Sequence, residues 1–455
     1  MASWWIPTSG SSSTGSMASF ADFYGKQGRR GDRSALWTRL ANEFRDPTGC
    51  NFVVKRIFQH LFLVLVGLAG VEVLLAVACV FSPVARYYLQ NGNYTGSVPD
   101  AILGSRGNPF HWEFDANGYR NPEAVARVDI VALGDSHTAG SGVNSEAAWP
   151  RILADTAGAS IYNMARGGYG PTHSFLQLDE ALALSPKRVL VGVYFGNDLY
   201  DGFMHMRMVS SLRDLATPDL IDEAERYAED HELKDDLGGL QTPSGPHGNL
   251  DAEEDDGVSV LKIVQLYRAL DHVSKMRKKY NEEGSAYFRR FEEAARSAAR
   301  EPDAGFSIFD GSRWRTIFTV ERRRQVLDEG DPRVRVGLEL TIRSIGAIKK
   351  RLEEEGVPLC VILLPTKETV YFSEVDDPSR YVGLSDLVTY ELRSKQELID
   401  QMKRLDIRYV DPLADLRSAE KAPYWESANG HPNHEGHRII ADSARDCLET
   451  DLTRR

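Results

Sequence analysis

The sequence predicts an α/β fold: a three-layer α/β/α domain on a flavodoxin-like parallel sheet, with a helical insertion and one N-terminal transmembrane helix. Two observations predict the domain. Short apolar strands alternate with helical segments from Val128 onward, and polar motifs follow the strands, where open parallel sheets bind ligands. A third observation predicts the membrane helix: Leu61 to Phe81 is apolar except for Glu72 and is long enough to cross a bilayer.

Composition limits the classes of function. The chain has 455 residues and a net charge of −12, which provides no basic surface, so we expect no nucleic-acid partner. The four cysteines are scattered and form no Cys-x-x-Cys pair. Their spacing supports neither a disulfide framework nor a zinc site, and Cys360 lies within an apolar strand pattern. The sequence has no phosphate loop or dinucleotide motif, and we predict no cofactor.

The charges on either side of the apolar segment predict its orientation. Eight Lys and Arg residues lie between Met17 and Arg56, and few follow the segment closely. By the positive-inside rule, the N-terminus is cytoplasmic and the domain extracytoplasmic, which means periplasmic in a Gram-negative cell. Signal-peptidase cleavage near Ala76 to Ala78 is the alternative. The predicted regions are a mostly disordered tail (1–56), a transmembrane helix (57–82), a linker (83–126) and the α/β domain (127–455).

Strands and helices alternate on both sides of one interruption. The predicted strands are 129–133, 160–163, 188–194, 359–364 and 408–411. The predicted helices are 147–157, 172–184, 335–355, 384–405 and one from about 435. Between the third and fourth strands, residues 201–335 contain helical segments at Asp219 to Glu232 and Val258 to Arg300, separated by an acidic loop. We interpret this region as an insertion that covers or shapes a site.

Ser136 stands directly after the first strand, where Gly134 lets the chain turn into a helix. A serine hydroxyl at a helix N-terminus lies near unpaired amides, which favour developing negative charge. We therefore predict that Ser136 is a nucleophile. Taken alone, Asp135 and Ser136 would more often be only a helix cap, so the prediction depends on residues further along the chain.

Three further residues complete the requirements of acyl transfer through serine, which are a nucleophile, a base and donors for the oxyanion. Gly168 follows the second strand, Asn197 follows the third, and His431 lies near the C-terminus. We predict that His431 is the base and that Ser136, Gly168 and Asn197 provide the oxyanion donors. The histidines after His431 lack the H-E-x-x-H spacing of zinc enzymes, so we predict no metal.

These residues resemble the sequence blocks of the SGNH (GDSL-type) hydrolases, and the resemblance covers residues 112–449, loosely across the insertion. The family contains esterases, lipases, carbohydrate deacetylases and, in a membrane-associated branch, O-acetyltransferases of exported polysaccharides. The membrane anchor and the segments Asp115–Arg120 and Pro365–Glu368 resemble that branch. The matching blocks are Gly134-Asp135-Ser136, Gly168, Gly196-Asn197-Asp198 and His431.

One departure from the family concerns the residue that orients the base. The family usually has an Asp two or three residues before the His, where it stabilises the imidazolium. Here those positions hold Asn429 and Ala428. Asn429 can accept a hydrogen bond but brings no charge, whereas Glu426 could supply one if the loop bends. Both are candidates for the third catalytic residue, and a Ser–His dyad is a further option.

The resemblance implies a serine-dependent O-acyl ester hydrolase or acyltransferase, with acetyl as the expected acyl group and an extracytoplasmic carbohydrate as the expected substrate. The sequence does not separate hydrolysis from transfer, because both reactions form the same acyl-enzyme. The alternative is a catalytically inactive, carbohydrate-binding component of an envelope complex. The expected partners are the ester substrate and the membrane.

Overall fold

The computed structural model describes residues 47–90, 96–231, 261–281, 296–297, 300 and 305–448. Most of the predicted tail, the acidic loop of the insertion and part of its predicted helices lie outside the described residues. Helix α1 spans Pro47–Phe81 and therefore begins earlier than the predicted boundary at 57. Within it, Val54–Phe81 is long and apolar enough to cross a membrane.

The strands follow the predicted alternation, with two short hairpins in addition. In chain order they are β1 (Ser97–Asp100), β2 (Gly104–Gly107), β3 (Ile130–Leu133), β4 (Ile161–Asn163), β5 (Arg188–Tyr194), β6 (Ser307–Asp310), β7 (Arg315–Phe318), β8 (Leu359–Leu364) and β9 (Arg408–Val410). After α1, the helices are α2 (Pro83–Gln90), α3 (Ser136–Ala139), α4 (Trp149–Ala157), α5 (Pro171–Leu176), α6 (Leu178–Ala183), α7 (Asp198–Met208), α8 (Pro218–Asp230), α9 (Lys262–Asn281), α10 (Val320–Gln325), α11 (Pro332–Glu354), α12 (Lys367–Tyr371), α13 (Leu384–Arg404), α14 (Leu413–Ser418) and α15 (His434–Ala444).

Five parallel strands form the central sheet in the order β4-β3-β5-β8-β9, which is a flavodoxin-like order and confirms the predicted flavodoxin-like sheet. Strands β3 and β8 are buried at every residue, which explains why they read as continuous apolar runs rather than alternating ones. The connections from β3 to β4 and from β4 to β5 run in opposite directions across the sheet. Because such crossovers are right-handed, their helices cover opposite faces.

The helices pack in two groups. Helix α4 packs against α15, whereas the long helix α11 packs against α5, α7 and α8. The contact between α11 and α7 is backbone to backbone, since a Cβ added to Gly337 would lie 1.6 Å from the carbonyl oxygen of Leu199. The insertion is therefore joined to the sheet domain by a close helix pair as well as by its two chain connections.

Two hairpins were not predicted. Hairpin β1–β2 lies in the region predicted to be a linker, and hairpin β6–β7 lies in the insertion, which was predicted to be helical. Strand β1 contains a proline and β2 two glycines, residues that are depleted in strands, so their sequences carry no strand signal. Sequence pattern alone therefore missed both hairpins, of which β6–β7 contributes to the candidate site described below.

A disulfide corrects the expectation from cysteine spacing. Cys360 in β8 is bonded to Cys447, and their Cα atoms lie 5.7 Å apart. The prediction that Cys360 lies in a strand is confirmed, but the inference against a disulfide was wrong. The two cysteines are 87 residues apart, and only the folded chain brings the turn Arg445–Leu448 against strand β8.

Candidate active site

Ser136 is the first residue of helix α3 and follows β3 by two residues. The carboxylate of Asp135 caps the helix by accepting the backbone N–H of His137 at 2.9 Å. Gly134 has a φ of +145°, and a Cβ on it would lie 2.6 Å from Thr138 Oγ1. The chain therefore turns from strand to helix at a position that only glycine fits, and this turn places the Ser136 hydroxyl at the end of the strand.

A buried arginine holds the loop that follows the nucleophile. The Arg120 guanidinium donates to the carbonyl oxygens of Gly140 and Val143, each at 2.6 Å, and lies 3.3 Å from Glu113 Oε1. Arg120 ends the segment Asp115–Arg120, for which the sequence offered a resemblance but no physical role. Its contacts show that this segment braces the loop after Ser136.

His431 contacts both Ser136 and Asn429. Its Nε2 lies 2.8 Å from Ser136 Oγ, and its Nδ1 lies 2.6 Å from Asn429 Oδ1. The same Oδ1 accepts the backbone N–H of His431 at 3.0 Å, which identifies this atom as the amide oxygen rather than the nitrogen. Nδ1 must then carry the proton, so the lone pair of Nε2 faces the serine hydroxyl. This is the tautomer that can accept a proton from Ser136.

The electrostatics of the site keep His431 neutral. Burial, followed by the effects of His137 and Arg323, holds the pKa of His431 well below its usual range. Asn429 supplies a dipole but no opposing anion, so its contact does not offset this lowering. His431 is consequently in its basic form at neutral pH, but it is a weaker base than a histidine paired with a carboxylate.

Glu426 does not contact His431. Its carboxylate is exposed and pairs with Arg315 of β7, with Oε2 at 2.8 Å from Nε. The candidacy of Glu426 as the orienting acid is thus corrected, because the hairpin β6–β7 presents an arginine that binds this carboxylate away from the imidazole. Of the two candidates, the structure places Asn429 at the imidazole.

The predicted oxyanion residues lie on the two neighbouring strand ends. Gly168 has a φ of +81°, a conformation that favours glycine, and a Cβ on the preceding Gly167 would lie 3.7 Å from Ser136 Cβ. The glycine turn therefore lies against the nucleophile and can present backbone amides to it.

Asn197 precedes helix α7, and its side-chain amide donates to the Asp201 carboxylate. Burial raises the pKa of Asp201 to about 6. An asparagine amide carries two N–H groups, and the second has no acceptor among the described residues. Asp201 therefore fixes the rotamer of Asn197 while leaving one donor for a ligand.

Sequence reasoning missed the roles of Arg323 and His137. Arg323, on α10 of the insertion, donates from Nη1 to the carbonyl oxygen of Gly196 at 2.7 Å, and its guanidinium lies 5.5 Å from the ring centre of Tyr194. His137 is buried, stacks on Tyr194 with ring centres 3.5 Å apart, and its Nε2 lies 3.2 Å from the Gly430 carbonyl. Nothing in the sequence around Arg323 marks it, because its contacts are made only across the fold.

A family model for GDSL-like lipases and acylhydrolases matches residues 130–444. The chain belongs to this family. It is therefore an ester hydrolase in the general sense of the family, and the resemblance found in the sequence is confirmed. None of the curated proteins compared with the chain matches it.

Two solved structures are similar to the chain. One is a lipolytic protein of the G-D-S-L family from Desulfitobacterium hafniense, with 13% identity, a TM-score of 0.32, and coverage of 70% of this chain and 97% of that one. The other is a GDSL-like lipase from Bacteroides thetaiotaomicron, with 10% identity, a TM-score of 0.30, and coverage of 71% and 88%. At these scores the two structures add no argument about substrate.

Proposed function

We propose that the chain is a serine esterase or acyltransferase that acts through an acyl-enzyme on an O-acyl ester, acetyl in particular, of an extracytoplasmic carbohydrate. The observation that carries the mechanism is the continuous hydrogen-bonded series from Ser136 Oγ through the imidazole of His431 to Asn429 Oδ1. Such a series is what nucleophilic catalysis by serine requires.

In the proposed mechanism, Ser136 Oγ attacks the ester carbonyl carbon while its proton passes to Nε2 of His431. The carbonyl oxygen becomes an oxyanion that the amides of Ser136 and Gly168 and the free N–H of Asn197 stabilise. The imidazolium then gives its proton to the departing alcohol. A water or an acceptor hydroxyl, deprotonated by the same imidazole, attacks the acyl-enzyme and releases Ser136.

Two observations support an extracytoplasmic location. Lys and Arg residues are concentrated before the apolar segment of α1, residues 57–81, a pattern that by the positive-inside rule favours a domain outside the cytoplasm. The disulfide between Cys360 and Cys447 is of a kind that persists in oxidising compartments. The membrane anchor and the segments Asp115–Arg120 and Pro365–Glu368 support a carbohydrate ester as substrate, through their likeness to the membrane-associated branch.

The test uses the full chain in detergent micelles with p-nitrophenyl acetate. We expect turnover that is lost in Ser136→Ala, and stoichiometric labelling of Ser136 by a fluorophosphonate. Absence of both turnover and labelling, with binding of an acetylated glycan retained, would identify the carbohydrate-binding alternative instead.

A second measurement separates hydrolysis from transfer. The enzyme is given an acetylated donor together with a candidate polysaccharide, and the products are followed by mass spectrometry. Acetylated polysaccharide that depends on Ser136 identifies an acyltransferase, whereas free acetate alone identifies a hydrolase.

A further inference from the structure

Lys367 is a buried lysine that binds the loop carrying the base. It is the first residue of α12 and has no exposed surface. Its Nζ donates to three main-chain carbonyl oxygens, those of Ser427 at 2.7 Å, Ile317 at 2.8 Å and Asn429 at 3.2 Å. An ammonium group has three N–H donors, and these carbonyls provide an acceptor for each of them.

Burying the charged ammonium group of Lys367 costs free energy, which its hydrogen bonds to the carbonyls offset. Burial lowers the pKa of Lys367 to about 8, and the other charges that act on it are the adjacent Glu368 and Arg323. Oε1 of Glu368 accepts the backbone N–H and the hydroxyl of Thr319, at 2.8 and 3.1 Å, and Nζ of Lys367 donates to the three carbonyls. An apolar side chain in place of Lys367 would avoid the desolvation of a charge but would leave three buried carbonyls without this donor.

The loop that Lys367 binds has no regular secondary structure from Ser427 to His431. Without helix or strand hydrogen bonds, its conformation depends on a few short-range hydrogen bonds, such as Asn429 N–H to Ser427 Oγ at 3.2 Å, and on contacts from elsewhere in the fold. Two of the carbonyls on Lys367 belong to this loop, and one of them is the carbonyl of Asn429, whose side chain contacts the imidazole. Lys367 therefore contacts the main chain of Asn429, the last member of the hydrogen-bonded series that begins at Ser136.

We propose that Lys367 is a positioning residue for the catalytic base. By fixing the main chain at Ser427 and Asn429, it keeps Asn429 Oδ1 on Nδ1 of His431 and so directs Nε2 at the nucleophile. Pro365–Glu368, noted in the sequence only for its likeness to a family branch, thereby acquires a physical role. The inference rests on the proposed function of His431 as base.

The first test compares two buried lysines in the full chain, in detergent, with p-nitrophenyl acetate. Lys367→Met should lower kcat by about 10- to 100-fold with little change in KM, because the base is misplaced while the substrate-binding surface is intact. The control is Lys395→Met, since Lys395 is also nearly buried but pairs with Asp411, at 2.6 Å. It should lower Tm without lowering kcat. Equal losses of kcat in the two variants would reduce Lys367 to a structural role and overturn the proposal.

A double-variant cycle tests whether Lys367 acts through Asn429. In an Asn429→Ala background, the side chain that Lys367 positions is already gone, so Lys367→Met should lower kcat by less than about threefold further. If the two losses multiply instead, Lys367 does not act through Asn429 and the proposal fails.

A third measurement does not depend on turnover. In the wild-type chain labelled with ¹⁵N-histidine, the Nδ1–H of His431 is followed by NMR from pH 6 to 9.5 and assigned by its loss in His431→Gln. Because burial lowers the pKa of Lys367 to about 8, loss of the ammonium above that pH should release the loop and speed exchange of this proton more steeply than base catalysis of exchange alone does. An exchange rate that rises to pH 9.5 only as base catalysis requires would overturn the proposal. A chain that shows the transition but turns over no ester would keep the positioning role and refute only the proposed function.

Discussion

The two loops that meet at the candidate site are each held by a buried cation, but they depend on the rest of the chain differently. Arg120 binds carbonyls of the loop after Ser136, and Lys367 binds carbonyls of the loop before His431. The nucleophile is also fixed locally, by the end of β3, the Asp135 cap and the glycine turn. The loop before His431 has short-range hydrogen bonds, from Asn429 N–H to Ser427 Oγ at 3.2 Å and from His431 N–H to Asn429 Oδ1 at 3.0 Å, but it contains no helix or strand.

The loop from Ser427 to His431, called the base loop below, is supported by distant segments of the chain. Lys367 stands at the end of β8, and Thr316 and Ile317 belong to the hairpin of the insertion. We therefore expect the insertion to affect the base, through hairpin β6–β7, and the turn before Asn197, through the contact of Arg323 with Gly196, and to leave the nucleophile largely independent. Variants of the hairpin should therefore disturb proton transfer before they disturb the position of Ser136.

The largest effect should come from breaking the contact between the two loops. His431→Ala should lower kcat by about 10⁴-fold or more, because Ser136 then has no base. Combining it with Ser136→Ala should cost little more than either change alone, since residues that act as a unit are not additive. Steady-state kinetics on p-nitrophenyl acetate would measure this. Multiplicative losses would mean that the two loops contribute independently.

On the nucleophile side, the glycine turn offers a matched pair of variants. Gly168→Ala and Gly158→Ala both place alanine at a positive φ, +81° and +63°, where no atom lies within 4 Å of the new Cβ. Each should lose about 1–2 kcal/mol of unfolding free energy. Only Gly168→Ala should lower kcat, by about 10- to 100-fold, because it shifts a predicted oxyanion amide. Thermal melts and kinetics on both variants would show whether the effects separate, and equal kcat values would remove Gly168 from the oxyanion site.

On the base side, Asn429→Asp adds the missing anion. The carboxylate should raise the pKa of His431 from its lowered value, strengthening the base and moving the acidic limb of the pH–kcat profile to higher pH. We expect an increase in kcat on the order of tenfold at pH 8. Glu426→Gln should leave the profile unchanged, because Glu426 pairs with Arg315. A fall in kcat for Asn429→Asp with an unchanged Tm would argue that the loop is shaped for binding rather than proton transfer.

The smallest effect should follow from loosening the base loop at a single hydroxyl. Thr316 Oγ1 lies 3.0 Å from the carbonyl oxygen of Trp425 and 3.1 Å from that of Ser427, so Thr316→Val should cost about 1 kcal/mol of stability and a few-fold in kcat. The control is Thr341→Val, since Thr341 is fully buried and its hydroxyl has no hydrogen-bond partner among the described residues. That change should be neutral or stabilising. An equal loss of kcat in Thr316→Val and Thr341→Val would show that Thr316 has no specific effect on the base.

The sequence predicted most of the sheet because its strands are buried runs with strong apolar signals. Strands β5 and β8 have the predicted bounds, and the helical order around them follows. Hairpin β1–β2 was missed because its short, polar strands contain glycine and proline, and β6–β7 was missed because its strands have only four residues each within a region predicted to be helical. The disulfide was missed because cysteine spacing does not report which segments meet.

At the site, residues marked by neighbouring sequence could be predicted, whereas roles that depend on contacts between distant segments could not. Ser136 could be proposed from a strand, a glycine and a helix start, all within a few residues. The choice between Asn429 and Glu426 could not be made, because it depends on Arg315, which lies on a ribbon more than a hundred residues away in the chain. Lys367 and Arg323 act by the same kind of distant contact.

The bond between Cys360 and Cys447 closes the chain into a covalent ring that contains Lys367, Asn429 and His431 but not Ser136. By loop entropy alone, a ring of this size disfavours the unfolded chain by about 4 to 5 kcal/mol. It also sets the path of mechanical load: tension applied beyond Cys447 passes through the disulfide into strand β8 at Cys360. The loop that carries the base therefore bears none of that tension until the disulfide is reduced.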